Sequence, residues 1–393
     1  MVSSGVKRLS TKNLNLIDLW RVAINAVDGR SAVSRYFEDN PQNFRYVIAI
    51  GKAAGAMFLG AYDKADAEIC QSLLITKYGH VDSSLNKIDS LKIVESGHPV
   101  PDEQSLQAGR MLVDFVQTIP PNDKVLFLIS GGTSALVEVL SDNMSLMKWQ
   151  KMNEGLIASG RCISDVNRER KLHSKIKGGK LARLLKGRAA TALYISDVPG
   201  DELSMIGSGL LCPDEETLGE SHFDTIKNVI VANNNIACRF AANLAEERGF
   251  SAFWQRAIVV GDIIDVSSQI YLAIKNGQKG VYIWGGEPTI MLPTSPGKGG
   301  RNQALALLLA EKISGEATIQ ILVAGTDGTD GPTEAAGGLI DGDTISKGSA
   351  LGLDSKEHIQ QANAYPYLKA TGCLFLTGAT GTNVMDLIIA IKH

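Results

Sequence analysis

Short apolar runs recur along the chain, and most of them break directly into glycine and hydroxyl residues. Tyr46–Ile50, Val125–Ile129, Ala192–Ile195, Val281–Trp284 and Ile321–Ala324 are each too short for a helix and fit buried strands. Ser72–Thr76, Leu91–Val94, Val229–Ala232 and Cys373–Thr377 are further strand candidates. Between these runs lie stretches with apolar residues at helical spacing, among them Leu14–Val27, Ala237–Arg248 and Ala304–Lys312. Strand runs alternating with helical runs predict parallel β-α-β units. The expected fold class is therefore α/β, with open sheets that bind ligands at the carboxyl ends of their strands. At 393 residues the chain is long for one core, which predicts two domains. The polar segment Leu211–Thr225 reads as their connection, giving domains of residues 1–225 and 226–393 with an active site in the cleft between them.

Composition narrows the function classes. Hydrophobic residues make up 44% and charged residues 21%, with a net charge of −3, the profile of an ordinary globular protein. That balance argues against a nucleic-acid surface or a polybasic membrane patch. Cys70, Cys162, Cys212, Cys238 and Cys373 are scattered without metal-ligand spacing, so neither a disulfide framework nor a zinc site is indicated. The basic opening MVSSGVKRLS leads into no apolar run, so a signal peptide is not expected. No apolar run reaches membrane-spanning length, and a cytoplasmic location is expected.

Candidate chemistry gathers where the apolar runs end. Gly51 and Lys52 follow the first run, placing a lysine where a helix N-terminus binds anions. The spacing of a Walker A loop is absent throughout. Ser130-Gly131-Gly132-Thr133-Ser134 follows another run, and its consecutive backbone N–H groups suit a phosphate cradle. His98, beside Pro99, is either a substrate contact or a hydrogen-bonded loop residue. In the basic stretch Arg168–Gly187, Lys177 and its neighbours hold an anionic substrate or simply solvate a helix. Asp197 and Asp201 form one pair of carboxylates at a strand end, and Asp327 and Asp330 form another. The second pair lies in a twofold Thr-Asp-Gly pattern, where Gly325, Gly328 and Gly331 let the backbone bend around a ligand. Both pairs suit a magnesium ion or a polyhydroxy substrate. Arg301 opens a helix after glycines, exposing a planar fork suited to a phosphoryl group; the alternative is an arginine paired with an acid.

The motifs GKAAGAM (51–57), SGHPVPD (96–102), ISGGTSAL (129–136), IKGGKLA (176–182), SDVPGDE (196–202) and IGSGL (206–210) resemble those of class II glycerate 2-kinases. So do GGEPT (285–289), GKGGRNQ (297–303), AGTDGTDGPTEAAGG (324–338) and TGATGTNV (377–384), the last group resembling the leucine-rich MOFRL domain. The resemblance implies a Rossmann-like N-terminal domain with a parallel sheet and a smaller α/β C-terminal domain. It implies phosphorylation of D-glycerate at its 2-hydroxyl by ATP with Mg2+, with Lys52 and Arg301 as catalytic residues. Gly51, Ser130, Gly131, Gly132, Thr133, Ser134, Lys177, Glu287 and Asn302 are the expected substrate and nucleotide contacts, and Asp197, Asp201, Asp327 and Asp330 the expected metal ligands. The expected partners are a small hydroxy acid and ATP, with a homodimer left open. Alternative expectations are a kinase for another hydroxy acid, a hydroxypyruvate reductase, and a sugar-acid sensor without catalysis. No G-x-G-x-x-G opens any of the strand–turn–helix units, which counts against a nicotinamide site.

Overall fold

The computed structural model describes residues 14–65, 69–158, 163–214 and 217–393; Cys162 and the basic opening stretch lie outside the described residues. Two compact units emerge. The first is Val27–Asn233 with Gly381–Val384, and the second is residues 14–26, Asn234–Thr380 and Met385–His393.

In the first unit, β1 (Tyr46–Ile50), β2 (Gln71–Lys77), β3 (Leu91–Ser96), β4 (Val125–Ile129), β5 (Ala190–Ile195) and β6 (Ile226–Ala232) form one parallel sheet in the order β3-β2-β1-β4-β5-β6. Every residue of β1, β4 and β5 is buried. Such unbroken apolar strands fit a parallel sheet covered on both faces, where alternation would leave polar groups unsatisfied. Helix α1 (Leu16–Val27), all but its last residue part of the second unit, leads into α2 (Gly29–Asp39), whose first turn is capped by Asp28 accepting from the N–H of Ser31. There follow α3 (Ala54–Tyr62) after β1, α4 (Glu103–Thr118) after β3 and α5 (Thr133–Leu136) after β4. Asp102 and Ser105 exchange the two hydrogen bonds of a capping box at the start of α4. Next come α6 (Leu146–Ala158), α7 (Ile163–Leu172) and α8 (Lys180–Leu184). The Gly178-Gly179 pair opens α8 rather than ending a long basic helix, because α7 has already stopped at Leu172. The expected boundary at 225/226 falls just ahead of β6, which completes this sheet.

The second unit contains α9 (Asn234–Glu247), β7 (Ala252–Trp254), α10 (Ile263–Asn276), β8 (Gly280–Gly286), α11 (Arg301–Lys312), β9 (Ile319–Gly325) and β10 (Gly337–Asp341). It ends with α12 (Thr344–Ala350), α13 (Ser355–Gln360), α14 (Ala364–Ala370), β11 (Leu374–Phe375) and β12 (Asp386–Lys392). Its sheet runs β11-β10-β9-β12-β8-β7, and only β7 and β8 pair in parallel. The expectation of parallel units throughout is therefore corrected for this sheet. No helix separates β9 from β10, so the chain can only return antiparallel. β12 then enters between β9 and β8, antiparallel to both. The core on one face of the sheet includes Ile270, Leu305, Leu309, Val323, Leu368 and Ile388. Among the described residues, no helix is long and apolar enough to cross a membrane.

Candidate functional site

In the first sheet, β1 and β4 are neighbours, yet the chain leaves them in opposite directions, β1 toward β2 and β4 toward β5. That switch in strand order leaves a crevice at the carboxyl ends of the two strands. Lys52 follows β1 there, and the Ser130–Ser134 turn follows β4. The two turns are welded together by hydrogen bonds. Lys52 N donates to Gly131 O at 2.9 Å, and Ala53 N donates to Ser130 Oγ at 3.1 Å. Thr133 Oγ1 donates to Ser130 O at 2.7 Å and is 3.1 Å from Ile50 O. Ser130 and Thr133 are thus buried, with their hydroxyls bonded inside the scaffold. Gly51 has φ of +129°, and a Cβ there would stand 2.1 Å from Ser130 Oγ. Only glycine lets these turns meet.

Three further side chains gather at this turn. A Cβ on Gly131 would stand 2.1 Å from Asp197 Oδ2, so that glycine admits the carboxylate against the backbone. A Cβ on Gly132 would stand 3.1 Å from Lys52 Cγ and 3.0 Å from His98 Cδ2. Lys52, His98 and Asp197 therefore flank two successive glycines of the cradle. Burial pushes the Asp197 carboxyl above the usual range, while Lys52 pulls it back down. Burial, and then Lys52, lower His98 to about 4, so its ring is neutral near pH 7. Asn383 Nδ2 makes a long contact, 3.5 Å, with Asp197 Oδ2. Ser134 Oγ lies 2.8 Å from Ser208 Oγ, tying α5 to the Ile206–Ser208 turn. Asp201 sits on a positive-φ turn and accepts from Asn233 Nδ2 at 2.5 Å.

Lys177 departs from its expected role. Its side chain has no exposure and pairs with an equally buried Glu138. Lys177 Nζ also donates to Ser134 O at 2.8 Å and lies 5.2 Å from the centre of the Trp149 ring. Ser174 Oγ and Val139 N complete the shell of Glu138 by donating to its Oε1. With its donors turned inward, Lys177 props the cradle from beneath.

The second unit builds its own cluster around the start of α11. Arg301 Nε and Nη2 donate to Asp386 Oδ2 and Oδ1 at 2.7 and 3.2 Å, and Nη1 reaches Glu287 Oε1 at 3.0 Å. Asn302 Nδ2 donates to Asp386 Oδ1 at 2.9 Å, and Asn234 Nδ2 donates to Asp386 O at 2.9 Å. Burial alone would lower the Arg301 pKa, but the Asp386 hydrogen bonds and nearby acids raise it, holding the guanidinium charged. Asp386, at the start of β12, escapes the sequence reading because the strand itself was not recognised. Asp330 Oδ1 accepts from Asn302 N at 3.1 Å, and its Oδ2 from Gln303 N and Gln303 Nε2 at 2.9 and 3.0 Å. It is the acid that satisfies the first turn of α11. Burial lifts its carboxyl to about 6 against the pull of those donors. Asp327 Oδ1 accepts from Thr329 N and Oγ1, closing the turn after β9.

Among the described residues, no three His, Cys, Asp or Glu side chains converge as a protein-built metal cage requires. A magnesium ion carried with a nucleotide needs only one or two carboxylates beside the phosphates. Asp197, set against the cradle next to Lys52, fits that limited demand. The remaining acids expected as ligands are engaged otherwise: Asp330 in the α11 cap, Asp201 with Asn233, and Asp327 in its own turn.

Comparison with known proteins also finds two parts. Residues 15–237 match a domain of unknown function, DUF4147, and residues 280–386 match the MOFRL family. The chain is 34% identical to the D-glycerate 2-kinase of Thermotoga maritima, over 95% of this chain and 97% of that protein. It is also 34% identical to the glycerate 2-kinase of Pyrococcus horikoshii, over 98% and 96% of the two chains. The crystal structure of the Thermotoga maritima glycerate kinase matches with a TM-score of 0.88 at 34% identity, covering 96% of this chain and 98% of that one.

Proposed function

This chain belongs to the glycerate 2-kinase family, and from that premise we propose that Lys52 and Arg301 carry phosphoryl transfer from ATP to the 2-hydroxyl of D-glycerate. The observation that carries the residue assignment is the position of Lys52. It stands at the strand-order switch of a parallel sheet, over a double-glycine turn and beside Asp197.

Phosphoryl transfer asks a protein for positioning and charge neutralisation more than for covalent chemistry. Lys52 supplies a cation, and the start of α3 adds the positive end of a helix. Gly131 and Gly132 bring the backbone close to the phosphates, with Ser134 at the edge of the turn. Magnesium, when bound with the nucleotide, would neutralise phosphate charge, and Asp197 is the carboxylate we assign to it. His98 is neutral, so it adds no second positive charge and can orient a hydroxyl or phosphate oxygen through its ring nitrogens. Arg301 contributes a planar fork for a phosphoryl or carboxylate group, with Asn302 fixing the Asp386 that orients it. The cytoplasm is the compartment we assign, in keeping with cysteines scattered without disulfide or metal-ligand spacing.

The decisive measurement is ADP release coupled to consumption of hydroxy acids, with D-glycerate expected to give the highest kcat/KM. Product analysis should find the phosphate on the 2-hydroxyl. Efficient turnover of another acid with D-glycerate inert would replace the acceptor. Oxidation of reduced nicotinamide by hydroxypyruvate, without ADP formation, would replace the reaction class.

A further inference from the structure

Arg301 faces more acid than its own charge can balance. Asp386 and Glu287 both contact the guanidinium, and Asp330 lies near enough to act on it. One cation therefore stands among three carboxylates. An arginine kept only to receive an oxyanion gains nothing from such an excess, because each added carboxylate repels the incoming ligand.

The two contacting acids are held differently. Asp386 is 1% exposed, begins β12, and accepts from Asn302 as well as from both ends of the guanidinium fork. Its grip orients the arginine permanently. Glu287 follows β8 on a loop, its side chain is 39% exposed, and it meets the guanidinium at the outer nitrogen Nη1. An exposed glutamate on one nitrogen can swing into water at little loss, whereas the buried aspartate cannot.

We propose that Glu287 is an internal rival for the oxyanion that Arg301 receives, so that a ligand enters either by displacing it or with a divalent cation that offsets its charge. The inference rests on reading Arg301 as a ligand-binding residue of the kinase. The shared chemistry is an oxyanion, either a phosphate of ATP or the carboxylate of D-glycerate. Glu287 then sets selectivity: metal-free ATP is penalised and the magnesium complex is accepted.

The test is calorimetric titration of the full chain with ATP in EDTA, ATP with Mg2+, D-glycerate and inorganic pyrophosphate. Glu287→Gln should bind metal-free ATP and pyrophosphate about tenfold more tightly than wild type, with a smaller change for the magnesium complex. Glu287→Asp keeps the charge and should retain most of the wild-type penalty. The gain should vanish when Arg301→Ala is added. A gain for D-glycerate alone would make the carboxylate the oxyanion and leave the rivalry standing. No gain for any of the four ligands in Glu287→Gln would overturn the proposal. A wild type that forms no ADP with D-glycerate would instead remove the kinase reading, and the pyrophosphate comparison would still report on Glu287.

Discussion

Lys52 and Lys177 both precede small residues and both sit beside the cradle, yet they do opposite things. Lys52 is partly exposed at the strand end, so Lys52→Ala should leave the fold intact and lower turnover by about 10²–10³-fold or more, as removal of a charge-stabilising group does. Normal turnover in the folded variant would take it off the catalytic list. Lys177→Met strands the Glu138 carboxylate in the interior and should cost about 3–5 kcal/mol in urea unfolding. Adding Glu138→Leu should restore much of that loss, since the uncompensated charge goes with it. A single variant as stable as wild type would mean the pair contributes nothing. Sequence spacing could not separate these lysines, because burial is decided by α6 and by Glu138, which no local pattern connects to residue 177. His98 is a similar case, visible as a loop histidine but not as a neighbour of Lys52. Its folded pKa lies below its ordinary value of 6.5, at about 4. It therefore binds a proton less readily folded than unfolded, and its contribution to stability is lost as pH falls from about 6.5 toward 4. Its imidazole resonances should titrate near pH 4 by NMR; a midpoint near 6.5 would place the ring in water.

Strands with their whole length buried announced themselves. β1 and β4 match the apolar runs residue for residue, because parallel strands covered on both faces have no polar alternation to blur them. β10 and β12 were missed. β10 opens on two glycines among its five residues, and β12 follows the glycine-threonine turn so closely that the apolar run reads as an appendage. Pairing with β9 and β8 makes it a central strand, which is information from distant sequence. The consequence for chemistry is direct, since Asp386 begins that strand. At α11 the legible part was the helix start at Arg301. The cap was not legible, because Asp330 reaches the first turn from the loop after β9. Asp330→Ala should leave the Asn302 and Gln303 N–H groups buried without their acceptor, at about 1–3 kcal/mol in thermal or urea unfolding. Arg301→Lys should leave stability closer to wild type and lower turnover more than nucleotide affinity, because a lysine keeps the charge but loses the fork. Equal losses in both would indicate ordinary ground-state binding.

For the molecule as a whole, length leads to an expectation of two domains, and the family resemblance is carried by motifs spread along nearly the whole chain. The arrangement of chain within the units could not be read from composition. The first unit takes Gly381–Val384 from far along the sequence, and the second takes residues 14–26 from near its beginning. Thr382 Oγ1 donates to Val27 O at 2.7 Å, a bond across 355 residues of chain. A cut at 225/226 should therefore yield two fragments that fail to fold separately: one loses β6 and residues 381–384, the other residues 14–26. Circular dichroism and limited proteolysis would show it, and a stable, protease-resistant fragment 1–225 would contradict it. The long-range closure also dictates timing during synthesis. Although domains generally fold from the N-terminal end as they leave the ribosome, the unit carrying Lys52 lacks four of its residues until position 384 has emerged. The Asn383 contact to Asp197 forms no earlier, so a nascent chain stalled upstream of residue 381 would carry Lys52 on an unfinished unit. On the assignment proposed above, competence to bind ligand there is acquired only once residue 384 has emerged.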